Sequence, residues 1–378
     1  MPWKERTAMS LREEFVQLAS ATEGNVAMLC RRFGISRKTG YKWLQRFGLG
    51  KPLDDRSRRP ARSPTQTPPE LAQQVEQIRR THAAWGGRKI HARLKALEAA
   101  QVPAPSTITD ILRRQGLIDP KEAARHAPFV RFEHAHPNDL WQMDFKGHFP
   151  MVQGGWCFPL TILDDHSRFS LGLRACLNQQ APTVQAQLID VFRRYGLPCR
   201  ILADNGAPWG HAGPHRHTGL SVWLIRLGIA VWHGRPRHPQ TQGKDERFHR
   251  TLNVELLTGR SFRDLPHAQE DFDAWRDVYN LERPHEALGM KVPANRYQPS
   301  ARPYPETLGP IEYEPGDVVR KVNRDGYLHY RSRVFKLSAA FTGFPVALRP
   351  TVQDGLLDVY FCHQRIDQIS LTEPCTRD

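Results

Sequence analysis

The spacing of apolar residues changes near Leu140, and this change constrains the fold more than any other feature. Before it, apolar residues recur at helical spacing between capping residues and glycine stops, whereas after it short runs alternate as strands do. At 378 residues the chain is also too long for one ordinary domain. The sequence therefore predicts separate all-α modules, then an α/β domain and finally a region of short strands.

Residues 1–50 have the pattern of a three-helix module that binds DNA. Ser10 is predicted to cap the first helix and Ser36 the third. A helix, a glycine-containing turn and a basic second helix form the helix-turn-helix pattern, and an ordinary three-helix bundle is the alternative. Tyr41 and Leu44 are expected to face the core. The residues expected to contact DNA are Arg37, Lys38, Lys42 and Arg46.

A second helix-turn-helix-like module is predicted at residues 70–118. It lies between a polar linker at 51–69 and another at 119–138. Thr107 is predicted to cap its last helix, and Gly116 to end that helix. Two basic residues in the last turn are expected to contact DNA, Arg113 and Arg114.

The positive charge of the chain is concentrated in its first part. The net charge is +15, from 54 basic and 39 acidic residues, and residues 1–140 hold 25 basic against 14 acidic residues. A local excess of this size suits double-stranded DNA, because each neutralised phosphate releases counterions. A solubilising surface would explain the charge equally well.

The cysteines and the amino terminus indicate a cytoplasmic protein. None of the six cysteines forms a C-x-x-C pair, which argues against a structural zinc module or a disulfide framework. The first residues lack the apolar core of a signal peptide, and the most apolar stretch, Val222 to Trp232, is too short to span a membrane. We expect a protein of the cytoplasm.

Residues 139–299 are predicted to form an α/β domain and residues 300–378 a small β-barrel. The run Trp156–Leu163 and the short apolar run Arg200–Ala203 indicate strands, the latter buried in a mixed sheet. Ala181–Tyr195 carries one apolar face and indicates a helix.

Three acidic residues lie where solvated surface charge is not expected. Asp144 interrupts the first strand of the α/β domain, Asp204 follows an apolar strand, and Glu246 begins a helix. Ligands of open α/β sheets bind at the carboxyl ends of strands. Clustered carboxylates repel one another unless cations neutralise them, and two Mg²⁺ ions could stabilise both oxygens of a phosphoryl displacement. Spacing alone is a weak signal, since any three acids can be chosen from 39.

The sequence strings around these acids resemble the DDE transposases of bacterial insertion sequences and the retroviral-integrase superfamily. The resemblance covers roughly residues 10 to 300, including the helix-turn-helix units. Its strings are WQMDF around Asp144, DNG from Asp204, HPQTQGKDERFHRTL around Glu246, and YN followed by RPHEAL from Tyr279 to Leu288.

This resemblance implies an RNase H-like core, two divalent ions and no covalent protein–DNA intermediate. Asp144 would contact both Mg²⁺ ions, with Asp204 and Glu246 each completing one site, and Mn²⁺ could replace Mg²⁺. The interval from Asp204 to Glu246 is a few residues longer than is usual in the family, and residues 211–219 hold the surplus. The basic residues flanking the third acid would contact phosphate, namely Lys244, Arg247 and Arg250.

Other polar residues near these strings have simpler interpretations. Residues 164–168 are expected to form the polar turn of a hairpin rather than a metal site. Asp245 is expected to be exposed, because it points about 100° away from Glu246 on a helix. His238 is expected to be structural, and Trp141 and Trp156 to be core aromatics.

These features predict an active transposase that binds element ends and target DNA as at least a dimer. Nicking by water attack would free a 3′ hydroxyl, which is then joined to target DNA. One alternative is a DNA-binding regulator descended from a transposase, with an inactive core. Another is a plain RNase H-like nuclease, which the two DNA-reading modules make less favourable.

Overall fold

The computed structural model describes residues 7–21, 25–55, 67–99, 101–118, 133–210, 217–234 and 243–372. The chain divides into two compact units, Met1–Gln66 and Thr67–Asp378. Much of both predicted linkers, most of the loop at 211–219, and His238 lie outside the described residues. Within the described ranges, no helix is both long and apolar enough to cross a membrane.

The first unit contains three helices, α1 (Ala8–Ser20), α2 (Val26–Arg32) and α3 (Arg37–Gly48). Ser36 caps α3 as predicted, because its side chain accepts a hydrogen bond from Thr39 N–H. The predicted Ser10 cap is wrong. Thr7 accepts from Ser10 N–H instead, so α1 starts earlier and Ser10 lies in its first turn.

Helix α3 packs through Gly40 and Trp43 rather than through Tyr41. Gly40 lies against α2 so closely that a Cβ would sit 2.5 Å from Cys30 Sγ. Trp43 is buried three residues later, whereas Tyr41 is 60% exposed, so the prediction that Tyr41 faces the core is wrong. Leu44 is partly buried, as predicted. Positions 40 and 43 therefore define the inner face.

The second helical module contains α4 (Pro69–Thr81), α5 (Gly87–Ala96) and α6 (Pro105–Arg114). Gly116 follows α6 with a positive φ of 68°, as a helix stop requires. The predicted cap at Thr107 is wrong, because α6 begins at Pro105 without a side-chain cap. Proline suits the first helical position, since its missing N–H would have no partner there.

The second module is attached to the α/β domain through α5. Arg93 pairs with Glu282 at 2.5 Å and Arg88 with Glu286 at 3.4 Å. Lys89, between them in sequence, is partly buried near Arg283. Burial, reinforced by the positive charge of Arg283, lowers the pKa of Lys89 to about 8.

Replacing Lys89 with Met is expected to stabilise the protein at pH 7, by at most about 3 kcal/mol at about 1.4 kcal/mol per pKa unit. The lowered pKa means that the unfolded chain binds more protons than the folded chain between about pH 8 and 10.5. Wild-type stability therefore rises with pH across that window, and the advantage of Met disappears above it. Guanidinium unfolding at pH 7 and at alkaline pH measures this difference.

Lys95→Met provides the matched control, because Lys95 is an exposed lysine on the same helix. It should change the free energy of unfolding little at either pH. If Lys89→Met proved destabilising at pH 7, the charge of Lys89 would be a net stabilising feature of the attachment.

The α/β domain is built on a mixed six-stranded sheet. The order β2-β3-β1-β5-β6 has β1 and β3 antiparallel, β1, β5 and β6 parallel, and β4 on the other edge of β3. The strands are β1 (Trp141–Phe145), β2 (Phe149–Pro150), β3 (Trp156–Asp164), β4 (Ser170–Cys176), β5 (Arg200–Ala203) and β6 (Ala230–His233).

Helices cover this sheet and position the candidate site. Apolar residues of one group pack with Trp141 and Phe192, and a second group gathers around Phe248 and Phe272. Trp141 is fully buried as predicted, but Trp156 is 49% exposed, so its assignment to the core is wrong. The helices are α7 (Ala181–Tyr195), α8 (Gly219–Arg226), α9 (Gly243–Leu252) and α10 (Leu265–Asp277).

The carboxyl-terminal part is rich in strands. Four of them form an antiparallel sheet in the order β12-β11-β10-β7, and β8 pairs with β9 in a separate hairpin. This pairing does not show a closed barrel among the described residues. The strands are β7 (Val318–Lys321), β8 (Tyr327–Tyr330), β9 (Arg333–Lys336), β10 (Pro345–Pro350), β11 (Leu356–Phe361) and β12 (Gln364–Ser370).

Candidate active site

Asp144 lies near the end of β1, in register with Thr161 of β3. Its Oδ1 accepts a hydrogen bond from Phe145 N–H at 2.8 Å. Burial raises the pKa of Asp144 to about 6; the Phe145 hydrogen bond opposes this rise, and the negative charge of Asp204 adds to it. A nearby cation would oppose this rise, because it favours the charged form of the carboxylate.

Asp204 is exposed and directly follows β5, the parallel neighbour of β1. The register pairs Gln142 with Leu202, so two residues further along Asp144 and Asp204 lie at the same level. Two carboxylates therefore meet at the ends of adjacent strands. Carboxylate oxygens are the ligands that Mg²⁺ prefers, so this pair fits a hard divalent cation.

Glu246 lies in the first turn of α9, on the exposed side of that helix. Among the residues that the structure describes, no three His, Cys, Asp or Glu side chains lie close enough together to hold a metal ion. The structure thus brings Asp144 and Asp204 together without adding Glu246 as a third ligand. The role of Glu246 stays a prediction.

Asp245 is buried, not exposed as predicted from its position beside Glu246. It is 2% exposed and shares the inner face of α9 with Phe248 and Leu252. Burial raises the pKa of Asp245 well above its usual range. Its Oδ1 has no hydrogen-bond partner among the described residues. The helix is therefore rotated so that the first acid of the Asp245-Glu246 pair, rather than the second, lies against the core.

Two residues beside Asp144 were not predicted from the sequence. The Thr161 hydroxyl donates to the Asp144 carbonyl at 2.9 Å and lies 2.8 Å from His249 Nε2. Because a hydroxyl has one proton, Nε2 must donate to Thr161, which leaves Nδ1 as the unprotonated nitrogen facing Asp144 at 4.0 Å. Burial lowers the pKa of His249 to about 4, so the ring is neutral. The sequence signal for His249 is its position three residues after Glu246, because residues three apart lie on the same side of a helix.

Lys244 does not face solvent as a phosphate contact would. Its Nζ lies 2.5 Å from Asp165 Oδ1, and its side chain is 16% exposed. Burial lowers the pKa of Lys244, and the hydrogen bond to Asp165 opposes this shift. The predicted phosphate contact is therefore corrected to an internal ion pair. Arg247 and Arg250 are exposed on α9, and their contact with DNA stays a prediction.

The predicted DNA contacts of the helical modules fall into two groups. Arg46 is 8% exposed, and it donates to the Asp54 carbonyl at 2.8 Å, so it holds the first module together and is withdrawn as a DNA contact. The rest are exposed and stay predictions. They are Arg37, Lys38 and Lys42 on α3, and Arg113 and Arg114 on α6.

Family models match most parts of the chain. An integrase core domain matches residues 134–239 and, in a second model, 227–293. The carboxyl-terminal domain of IS481 family transposases matches 317–376. A helix-turn-helix domain matches 11–61, and a homeodomain-like domain matches 39–112. The mixed-sheet domain is therefore an integrase-type, RNase H-like core, and the class is that of polynucleotidyl transferases. The combination of helix-turn-helix domains, an integrase core and an IS481-type carboxyl-terminal domain supports an insertion-sequence transposase with amino-terminal helix-turn-helix domains.

Individual relatives agree with this assignment. An uncharacterised 31.7 kDa protein of insertion element IS407 from Burkholderia multivorans is 24% identical over 228 residues, which is 59% of this chain and 79% of that protein. An uncharacterised 39.2 kDa protein of insertion element IS476 from Xanthomonas euvesicatoria is 24% identical over 234 residues, which is 61% of this chain and 65% of that protein.

Solved structures overlap the chain only loosely. The simian T-cell lymphotropic virus intasome with the PP2A regulatory subunit B56 gamma has a TM-score of 0.38 at 15% identity, covering 80% of this chain and 100% of that chain. The HTLV-2 integrase catalytic core domain with magnesium has a TM-score of 0.33 at 15% identity, covering 43% and 99%.

Proposed function

We propose that the protein is an active DNA transposase that nicks the ends of its element and joins them to target DNA. The observation that carries the proposal is that Asp144, on β1, lies level with Asp204, which directly follows the parallel strand β5. The integrase-core match over residues 134–239 includes both acids. In nicking, water oxygen bonds to phosphorus and the 3′ oxygen leaves as a hydroxyl. That hydroxyl then attacks a target phosphate, displacing another 3′ oxygen.

Two divalent ions, Mg²⁺ or Mn²⁺, are proposed at the acids. Asp144 would hold both ions, and Asp204 and Glu246 would each hold one. When bound, such ions supply charge stabilisation to the attacking and leaving oxygens. Other residues of the chain would orient the acids that bind the ions. Thr161 fixes the carbonyl of Asp144, and neutral His249 in turn holds the Thr161 hydroxyl.

DNA binding is assigned to two surfaces. The exposed basic residues of α3, with Tyr41 between them, suit the major groove and its phosphates. Arg247 and Arg250 extend from α9 beyond Glu246 and suit phosphates next to the reacting one. Because two element ends must be joined in one event, we propose at least a dimer on DNA. We also propose that the boundaries predicted at 50, 69, 118, 138 and 299 separate functional domains, with a barrel-like carboxyl-terminal domain.

An activity assay tests the proposal directly. Purified protein is incubated with Mg²⁺ or Mn²⁺ and end-labelled duplexes of the element termini, and nicked and joined products are resolved on a denaturing gel. We expect both products with end duplexes and far less with scrambled duplexes. End binding without any product would indicate the regulator with an inactive core, and equal cleavage of scrambled duplexes would indicate a plain nuclease.

A further inference from the structure

The turn between β3 and β4 is polar, as predicted, but it is buried in the protein. Asp164, Asp165 and Ser167 are each at most 1% exposed. Asp164 closes the turn on itself, because its Oδ2 accepts from the backbone N–H of Ser167 at 2.8 Å and from the Ser167 hydroxyl. Its other oxygen accepts from Asn138 N–H at 2.8 Å. Asp164 thus closes the turn, and Asp165 is buried without taking part in these hydrogen bonds.

The Asp165 carboxylate accepts hydrogen bonds from residues outside the turn. Its Oδ1 accepts from Gln142 Nε2 at 2.7 Å and from Lys244 Nζ at 2.5 Å. Its Oδ2 accepts from His134 N–H at 2.9 Å. One carboxylate oxygen therefore joins a side chain of β1 to a side chain at the start of α9.

The two partners of Asp165 Oδ1 each precede one of the proposed acids by two residues. Gln142 precedes Asp144 by two residues, on the same face of β1, because side chains two apart in a strand share a face. Lys244 precedes Glu246 by two residues, in the first turn of α9. His249 of the same helix also lies 4.0 Å from Asp144, but it follows Glu246 by three residues, beyond the first turn.

We infer that Asp165 is a positioning residue, which sets the first turn of α9, and with it Glu246, relative to Asp144. This inference rests on the proposed function. Asp165 touches neither DNA nor metal in this role, and it acts through Lys244 and Gln142. Residues that orient metal ligands in this way typically change metal affinity or activity by about 10- to 100-fold when they are replaced.

Asp165→Asn tests the inference, because Asn keeps the shape and can still accept from Gln142. It loses the charge that pairs with Lys244 and the oxygen that accepts from His134 N–H. The probe is MnCl₂, measured by the concentration for half-maximal nicking and by the rise in melting temperature on adding Mn²⁺. We expect the half-maximal concentration to rise by about tenfold or more and the Mn²⁺-induced rise in melting temperature to shrink. The dissociation constant for end DNA should stay within about twofold, because the basic residues of α3 that are proposed to bind the ends are unchanged.

Asp164→Asn is the matched control, since Asp164 is equally buried in the same turn but its side-chain oxygens accept from Asn138 and Ser167 rather than from Gln142 and Lys244. It should lower the melting temperature of the metal-free protein while leaving the Mn²⁺ dependence unchanged. If Asp165→Asn does not fold because Lys244 loses its partner, the double variant Lys244→Met with Asp165→Asn removes both charges. That variant should fold and still require more Mn²⁺.

The outcomes separate this inference from the proposed function. Wild-type protein that nicks DNA while the Asp165 variant shows a wild-type Mn²⁺ requirement would overturn the positioning role alone. So would a variant in which end binding and metal response fall together, or one that matches Asp164→Asn in every readout. Wild-type protein that neither nicks DNA nor responds to Mn²⁺ would overturn the function and the inference with it.

Discussion

Glu246→Gln is expected to abolish nicking and strand joining while leaving end binding within about twofold. Gln has nearly the same shape as Glu but lacks the negative charge that would hold a divalent ion. If the ion contributes several kcal/mol to the transition state, its loss slows the reaction by about a thousandfold or more, at about 1.4 kcal/mol per tenfold. The measurement is a nicking time course at saturating Mg²⁺ beside a gel-shift dissociation constant.

The adjoining acid supplies the control for this variant. Asp245 is buried on the inner face of α9, and its raised pKa means that the folded protein favours the protonated form. Asn resembles a protonated Asp, so Asp245→Asn should retain nicking. Cleavage that survived in Glu246→Gln but was lost in Asp245→Asn would make Asp245 the third acid. Survival in both variants would mean that neither residue holds an essential ion.

Elements with a clear apolar period were predictable residue by residue. Helix α7 and strand β5 have the predicted bounds. In α7 the inward positions, such as Leu188 and Val191, are apolar, and β5 is almost wholly apolar. Strands β2, β9 and β12 were not predicted, because β2 has only two residues and β9 and β12 carry only two apolar residues each.

Helix starts were less predictable than helix bodies. Thr7 and Ser10 both have side chains that can cap a helix, and only the backbone path decides that Thr7 does so. The inner face of α3 was misread for a similar reason. Tyr41 is the more apolar residue, but the small Gly40 allows the closest contact between helices and rotates Tyr41 outwards.

The surroundings of the acids could not be predicted, because their charges pair across long stretches of sequence. Lys244 and Asp165 are 79 residues apart, and each by itself looks like a solvated surface charge. Arg46 likewise looks like a phosphate contact until its hydrogen bond to the Asp54 carbonyl is seen. The local strings thus predict the three acids from the sequence, whereas the side chains around them depend on tertiary contacts.

A fragment of residues 1–66 is expected to bind end DNA in preference to random DNA and to lose affinity steeply as salt rises. The fragment matches the first compact unit, so it should fold by itself. Its three exposed basic residues on α3 are Arg37, Lys38 and Lys42. If each neutralises one phosphate, affinity falls by about fortyfold between 50 and 200 mM salt, from a slope of about −0.9 per phosphate. Fluorescence anisotropy with labelled end duplexes measures both the preference and the slope.

Two variants of the fragment distinguish phosphate contact from support of the fold. The triple variant Arg37→Ala, Lys38→Ala, Lys42→Ala should flatten the salt dependence while its melting temperature stays close to that of the wild-type fragment. Arg46→Ala should lower the melting temperature instead, because the Asp54 carbonyl loses its donor, and it should leave the slope of the remaining folded fragment unchanged. If Arg46→Ala weakened the salt dependence of binding at temperatures where the fragment is folded, Arg46 would be a DNA contact after all. If the wild-type fragment bound end and random duplexes equally well, we would conclude that the unit from Thr67 onwards recognises the ends.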